Sequence, residues 1–370
     1  QPIFSVTVQP RGPRFATGGG DGRVKVWSLP HALDAEVENG PTPPLLAALV
    51  EHDGPVNVVR FSPFLSSQAP QRLASGSDDG MACVFELRAG PGACTLGSEA
   101  PNVENWRLRC VLRGHANHVV DLAWSADGDR LATASLDGTA GLWCASTGAR
   151  LRSLGEHASF VKGVAFDPVG SYLATQSDDR SVAVWRLEDG SLVARVTQPF
   201  SQIISSTFAT RLAWSPDGQS LLAVNSYQGA THAAVLIRRE QWTKAKEYLL
   251  VAGHAGSVVA AAFCPLLFDR QGVGEEEGGG RGSEGDQAAP VLPGSDENAA
   301  ENGEPRPASA KASEPPGQQP LDAIFALGSQ DRSLTVWAAG CAQPIFCASK
   351  LFRGQALDLA WASSGYALLA

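Results

Sequence analysis

Two sets of side chains in this sequence have the types that a hydrolase triad needs. His115, Thr133 and Asp137 form the first set, and the second set follows 42 residues later as His157, Thr175 and Asp179. An imidazole held by a carboxylate can activate a hydroxyl as a nucleophile. In both sets, however, 18 residues separate His from Thr and four separate Thr from Asp. Because one active site is not normally built twice at the same spacing, we interpret both sets as structural networks and expect no catalytic residue.

Each network is expected to end on an aromatic residue six positions after the Asp. A buried indole N–H can donate to the hydroxyl, the hydroxyl to the imidazole and the imidazole to the Asp, which leaves no buried polar atom without a partner. Two other copies are incomplete. The first copy holds Thr17, Asp21 and Trp27, and the sixth has Leu327 where a hydroxyl is expected. The predicted networks are His52, Ser75 and Asp79; His115, Thr133, Asp137 and Trp143; and His157, Thr175, Asp179 and Trp185.

Short β-strands in a repeated unit must position these side chains. Each unit has a β-prone run, then Asp followed by Gly or Arg, then a second run ending on an aromatic residue, which is typical of a hairpin. A Gly-His or Glu-His pair precedes several units. Units of about 40 to 45 residues with these signatures are typical of WD-repeat blades. The copies cover residues 14–27, 72–85, 130–143, 172–185 and 324–337.

The repeats predict an all-β fold, a seven-bladed WD40 β-propeller with a truncated seventh blade and a long disordered insert in blade six. Blade five lacks the His and the turn Asp, so we expect packing alone to hold it. We also expect the natural protein to begin before Gln1 and to continue past Ala370. The predicted blades are 2–27, 51–87, 113–143, 155–186, 207–239, 253–337 with the insert at 269–320, and a partial seventh at 354–370.

The predicted insert differs in composition from the rest of the chain. It lacks Phe, Tyr and Trp and is rich in Gly, Glu, Pro, Ser and Ala, so it cannot bury enough apolar surface to offset its chain entropy. Residues 270–320 hold ten acidic and four basic side chains of a chain whose net charge is −9. The rest is therefore close to neutral, and we expect no direct sequence-specific DNA binding.

Other classes of site find little support in the sequence. The seven cysteines are scattered without a CxxC pair, which argues against a disulfide framework and against a zinc site. The sequence has no phosphate-binding loop, no nucleophile elbow and no HExxH motif. No apolar run reaches the length of a membrane span. We therefore expect no cofactor, no metal and no membrane partner.

Several segments resemble the HIRA family of histone chaperones more closely than WD repeats in general. Residues 160–186, with their Asp178-Asp179-Arg180-Ser181 turn, resemble the family's fourth blade. Residues 102–115 resemble the segment before its third blade, and residues 328–337 resemble its sixth blade. Residues 2–6 and 15–19 resemble its first blade. The resemblance implies a nuclear complex that deposits histones H3 and H4 independently of replication. It also implies a propeller that binds a ubinuclein-type subunit, and an anti-silencing histone chaperone that binds a C-terminal region outside this sequence.

Two alternatives share the fold. The middle subunit of chromatin assembly factor 1, which acts in replication-coupled nucleosome assembly, has a similar fourth blade, and the turn at 178–181 and residues 102–106 are what favour HIRA. Generic WD40 scaffolds such as ubiquitin-ligase substrate receptors carry Trp-Asp-x-Arg after the third strand. Here Trp27, Trp143, Trp185 and Trp337 are followed by Ser, Cys, Arg and Ala. The acidic insert is interpreted as a surface loop, with contact to basic histones as the alternative.

Partner-binding candidates come from two recurrent positions that should face the narrow end of the ring. One is the entry to the first strand of a blade, and the other is the residue before the turn Asp. Arg211 is added because an arginine in an otherwise apolar strand usually has a designated partner. Phe160 stands out because an exposed aromatic suits an interface. The candidates are Asn57, Asp78, His118, Phe160, Lys162, Asp178, Arg211 and Gln330.

Overall fold

The computed structural model describes residues 1–33, 44–92, 101–203, 206–242, 248–269 and 321–370. These residues form six four-stranded sheets and one two-stranded sheet, with the strands of each sheet joined in chain order. A four-residue α-helix, Leu29–Ala32, and a short 3-10 helix, Gln198–Phe200, are the helices of this part of the chain.

The first three blades take their strands in turn from the N-terminal part of the chain. Blade one contains β1 (Ile3–Val8), β2 (Arg14–Gly19), β3 (Val24–Ser28) and β4 (Leu45–Leu49). Blade two contains β5 (Val56–Phe61), β6 (Arg72–Ser77), β7 (Ala82–Arg88) and β8 (Asn105–Leu112). Blade three contains β9 (Val119–Trp124), β10 (Arg130–Ser135), β11 (Ala140–Cys144) and β12 (Arg150–Leu154).

The remaining blades follow the same order. Blade four contains β13 (Val161–Phe166), β14 (Tyr172–Ser177), β15 (Ser181–Arg186) and β16 (Leu192–Val196). Blade five contains β17 (Ala213–Trp214), β18 (Ser220–Gln228), β19 (Thr231–Arg238) and β20 (Leu249–His254). Blade six contains β21 (Val258–Asp269), β22 (Leu321–Ser329), β23 (Leu334–Ala338) and β24 (Phe346–Ala348), and the two-stranded sheet contains β25 (Ala360–Trp361) and β26 (Leu368–Leu369).

Seven apolar clusters lie between successive sheets and close them into a circle. One joins Val26 of blade one to Leu73 of blade two, and similar clusters follow between each next pair of blades. The two-stranded sheet packs on blade six through Leu359 and on blade one through Ala362. Successive strand residues point to opposite faces of each sheet, and both faces pack on a neighbouring sheet. Burial of these side chains therefore stabilises the ring.

The expectation of an all-β propeller is confirmed, but the count of seven blades is wrong. The described residues form six complete blades, because the chain after Gly354 supplies only β25 and β26. The fourth strand of each complete blade lies outside the residue range that the sequence predicts for that blade. The predicted insert lies almost entirely in 270–320, outside the described residues, between β21 and β22.

Blade five is not held by packing alone. Its apolar cluster includes Trp214 and Trp242, but Gln176 of blade four also bonds to its second strand. The Gln176 amide donates to the Val224 carbonyl at 2.5 Å and accepts from the Val224 N–H at 3.3 Å. These bonds occur where β18 is irregular, between Ala223 and Ser226, and Asn225 has a left-handed backbone. A side chain from the neighbouring blade thus satisfies backbone groups that the strand pairing leaves open.

Candidate functional site

Blade three brings together the first set of triad-like residues. His115 Nε2 lies 2.7 Å from the Thr133 hydroxyl, and His115 Nδ1 lies 2.8 Å from the Asp137 carboxylate. The Trp143 indole donates to Thr133 at 2.8 Å. Because Asp137 also accepts from the backbone N–H of Ala116 and Thr139, the network ties the turn to the segment that enters the blade.

Blades two and four repeat this arrangement. In blade four the corresponding distances are 2.8 Å for His157 to Thr175, 2.8 Å for His157 to Asp179 and 2.8 Å for Trp185 to Thr175. In blade two His52 lies 2.7 Å from Ser75 and 2.8 Å from Asp79, and Phe85 ends the network without a donor. The hydroxyl-bearing residues Ser75, Thr133 and Thr175 are all 0% exposed.

The carboxylates of these networks are stabilised in their charged form. Burial alone would raise the pKa of Asp137, but hydrogen bonds from Thr139 and His115 outweigh it and hold the pKa below its ordinary value. The pKa of Asp179 is lowered in the same way, with His157 and Ser181 as the main donors opposing burial. Burial lowers the pKa of His115 despite Asp137, so the neutral imidazole is favoured.

Blade six contains a network that the sequence pattern did not reveal. Leu327 occupies the expected hydroxyl position, but Thr335, directly opposite it on β23, takes that role. His254 Nε2 lies 3.0 Å from the Thr335 hydroxyl, which also accepts from the Trp337 indole at 2.8 Å. The other imidazole nitrogen contacts Ser333, which in turn bonds to Asp331. The signal that could have identified Thr335 is its position as the cross-strand partner of Leu327.

In blade one the turn Asp pairs with a lysine and not with a histidine. The Trp27 indole donates to Thr17 at 2.9 Å, and Lys25 pairs with the turn Asp21 at 2.5 Å. Lys25 lies opposite Thr17 in the strand register. Its ammonium group therefore supplies to Asp21 the donor that an imidazole supplies in blades two to four.

Arg211 lies at the centre of the ring and its partners are within the chain. Its guanidinium donates to the carbonyl groups of Phe4, Asn57 and Leu357 at 3.3, 2.8 and 3.0 Å, and to the Asp121 carboxylate at 2.9 Å. Its backbone bonds to blade six at Val259 and Ala261. With 3% exposure, Arg211 is a connection between sheets and does not belong to an exposed surface.

A second arginine completes this central cluster. Arg60 donates to both oxygens of Asp358 at 2.7 and 3.1 Å, and Asp358 also accepts from Ser5 and the Val6 N–H. Asp121 accepts from the Val164 N–H at 3.0 Å, which adds blade four. Two arginines and two carboxylates thus offset each other at the centre, and they line a cavity of about 640 Å³.

The remaining candidates lie where the turn residue bonds back to the entry segment of its blade. The N–H groups of Asp78, Asp178 and Gln330 donate to the carbonyls of Pro55, Phe160 and Ser257, each at 3.0 Å. Strand entry and turn therefore share one end of these blades, and we name this end the entry surface. We define it by Asp78, His118, Phe160, Asp178 and Gln330.

These residues differ in how far they are exposed. Asn57 is 0% exposed and donates to Asp78, which also pairs with His118 of the next blade at 2.7 Å. Lys162 is buried and pairs with Asp178 at 2.6 Å. Phe160 is 45% exposed. Asn57, Lys162 and Arg211 therefore support the surface from below, whereas Phe160 is available to a partner.

The part of the chain that the structure describes contains no cluster of three or more His, Cys, Asp or Glu side chains arranged to hold a metal ion. Nor does any helix among these residues have the length and apolar character needed to cross a membrane.

Repeated four-stranded sheets in a circle, with a His-hydroxyl-Asp network or a variant of it in blades one to four and in blade six, define a WD-repeat β-propeller. The sequence profile of the CAF1B/HIR1 beta-propeller domain matches residues 1–370, and the chain belongs to this family. This confirms the resemblance to HIRA seen in the sequence.

Curated relatives agree with this assignment. The chain is 40% identical over 369 residues to Protein HIRA of Oryza sativa subsp. japonica, covering 100% of this chain and 35% of the relative. It is 36% identical over 367 residues to Protein HIR1 of Cryptococcus neoformans var. neoformans serotype D, covering 99% and 36%. It is 34% identical over 372 residues to Protein hir1 of Schizosaccharomyces pombe, covering 99% and 34%. The chain thus spans about a third of the length of the curated relatives it matches.

Proposed function

We propose that this propeller is a protein-docking module of a nuclear histone chaperone complex that deposits histones H3 and H4 independently of replication. The observation that carries this proposal is membership of the CAF1B/HIR1 propeller family over all 370 residues. In this role the chain regulates transcription through nucleosome assembly.

The proposed partners follow from the same resemblance. A ubinuclein-type subunit docks on the propeller, and histones H3 and H4 reach it directly or through the complex. The anti-silencing histone chaperone joins through a C-terminal region outside this sequence. Direct sequence-specific DNA binding is not part of the proposal, because the chain outside 270–320 is close to neutral. Membrane binding is not proposed either.

Burial supports a non-catalytic role for the triad-like networks. A nucleophilic hydroxyl must reach its substrate, yet Thr133 and Thr175 are fully buried and each already accepts an indole N–H. In addition, the same geometry occurs in blades two, three and four. We therefore assign these networks to the stability of the blades and the binding function to the surface.

Co-purification tests the proposal. The chain is expressed with the ubinuclein-type subunit and, separately, with the other subunits of chromatin assembly factor 1. A stable complex with the ubinuclein-type subunit alone is the expected result. Binding only to the assembly-factor subunits would instead assign the chain to replication-coupled assembly, as the middle subunit of that factor.

A further inference from the structure

A small polar pocket lies on the entry side of blades four and five, and no residue of the His-hydroxyl-Asp networks lines it. Its volume is about 180 Å³, and its lining includes Arg180, Asp178, Ser206 and Thr210. Phe160 lies beside it, because the Phe160 carbonyl accepts from the Asp178 N–H and its ring centroid lies 5.9 Å from Lys162 Nζ, which pairs with Asp178. Phe208, two residues before the lining residue Thr210, is 39% exposed, and its ring packs on Phe4 with 5.8 Å between the ring centroids.

Thr210 gives this pocket a buried hydroxyl without a partner. The residue is 2% exposed, and its Oγ1 has no hydrogen-bond partner among the described residues. Buried hydroxyl groups are normally satisfied because leaving one unpaired is costly. An orphaned hydroxyl in the wall of a pocket is therefore placed to bond to a ligand.

Arg180 supplies charge at the same pocket from an unusual backbone position. It follows the turn Asp with φ +65°, where blades one, two and three have Gly22, Gly80 and Gly138. Its side chain is exposed, and one of its five N–H donors has a described acceptor, the Ser201 carbonyl at 3.2 Å. The guanidinium therefore keeps donors that can bind a ligand.

The local charges favour an anionic ligand. Asp178 lines the pocket, but its carboxylate is paired with Lys162 at 2.6 Å and accepts from Ser206 at 2.8 Å. Lys162, which is buried outside the pocket lining, therefore offsets the charge of Asp178, and Arg180 leaves an excess of positive charge at the pocket. The excess positive charge and the donors on Arg180 and Thr210 match a carboxylate, which accepts such hydrogen bonds strongly.

We propose that this pocket binds an Asp or Glu side chain of a partner protein, and that an apolar residue of the same partner segment packs on Phe160. The inference rests on the docking function proposed above. It adds the chemistry of the bound segment, acidic and apolar, and places its anchor between blades four and five.

A matched pair of dipeptides tests the pocket without any partner protein. The NMR signals of the Arg180 guanidinium and the Thr210 amide are followed in the full chain during titration with acetyl-Phe-Glu-amide and with acetyl-Phe-Gln-amide. The glutamate peptide is expected to shift both signals, whereas the neutral glutamine peptide leaves them in place. Equal shifts with both peptides, or none with either, would overturn the proposal.

Turn variants supply the matched control. Arg180→Gly introduces the residue that three other blades have at this position, so the fold is expected to tolerate it. Arg332→Gly makes the same change in the blade-six turn, where φ is +67° and the side chain does not line the pocket. Arg180→Gly and Thr210→Val are expected to abolish the glutamate response, and Arg332→Gly to preserve it.

The same variants separate this inference from the proposed function. With the ubinuclein-type subunit as the probe, Arg180→Gly is expected to weaken the affinity about tenfold. Unchanged affinity would refute the pocket and leave the docking function intact. If the subunit does not bind the parent chain, the docking function fails, and the dipeptide titration still decides the pocket.

Discussion

Asp137 and Asp179 each connect an imidazole to the backbone of a tight turn. Asp137 accepts from His115 and from the N–H groups of Ala116 and Thr139. Removing the carboxylate leaves buried donors without an acceptor, which typically costs about 1 to 3 kcal/mol. We therefore expect Asp137→Ala and Asp179→Ala to lower the melting temperature measured by calorimetry.

The control for this prediction is Asp129→Ala, at an exposed position of blade three. It is expected to change the melting temperature little. If the three variants melted alike, the networks could not have the stabilising role assigned to them.

The networks also predict how stability depends on pH. Burial holds the pKa of His115 and His254 below 6.5 in the folded chain, so protons bind more readily to the unfolded chain. This contribution to stability is complete above pH 6.5 and is lost as the pH falls below it. The pKa of Asp137 lies below 3.8, so its contribution is lost only in stronger acid.

A melting curve recorded at each pH between 8 and 3 measures this dependence. The melting temperature is expected to fall below pH 6.5 and again below pH 4. His115→Asn should reduce the first fall. A melting temperature that is constant or rising between pH 7 and pH 5 would contradict the assignment.

At the scale of strands, the networks depend on cross-strand register. Leu327 lies opposite Thr335 in blade six, and Thr175 lies opposite Ala183 in blade four. The hydroxyl can therefore come from either strand of the pair. The sequence pattern predicted the hydroxyl on the second strand and missed Thr335, because the motif records spacing along the chain and not the position opposite.

A pair of substitutions tests this register argument. Thr335→Ala removes the hydroxyl that His254 and Trp337 contact and is expected to cost about 1 to 3 kcal/mol in the free energy of unfolding. Adding Leu327→Thr places a hydroxyl where blade four has Thr175. Denaturant titration should show that the double variant regains part of the loss. A double variant less stable than either single one would refute the exchange.

Other elements were beyond prediction for related reasons. The outer strands, such as β4 and β12, carry no motif residue, because each pairs on one side only and its side chains follow local packing. The contact of Gln176 with Val224 joins residues 48 positions apart and replaces strand pairing at an irregularity. The spacing of a motif along the chain predicts only contacts that recur from blade to blade, and the contact of Gln176 with Val224 is not one of these.

At the scale of the whole molecule, Arg211 connects sheets that are distant in sequence. The sequence indicated that this arginine needs a partner, but its contacts with Phe4 and Asp121 span 207 and 90 residues and form only when the ring closes. Replacing one member of a buried charged pair costs about 3 to 5 kcal/mol, because the other charge remains buried.

Arg211→Met is therefore expected to destabilise the whole ring. Its unfolding midpoint in urea should fall, and blades one, three and six should lose hydrogen-exchange protection together. Arg23→Met, in the blade-one turn, provides the control. Loss of protection confined to blade five would show that Arg211 acts locally.

The central claim is that buried networks stabilise the blades while the entry surface binds the partner. Melting temperature and affinity for the ubinuclein-type subunit, measured on the same variants, test it most directly. Asp137→Ala should lower the melting temperature and preserve the affinity measured well below it, and Phe160→Ala should do the reverse. Loss of affinity in Asp137→Ala without a change in melting temperature, with unchanged affinity in Phe160→Ala, would contradict the claim.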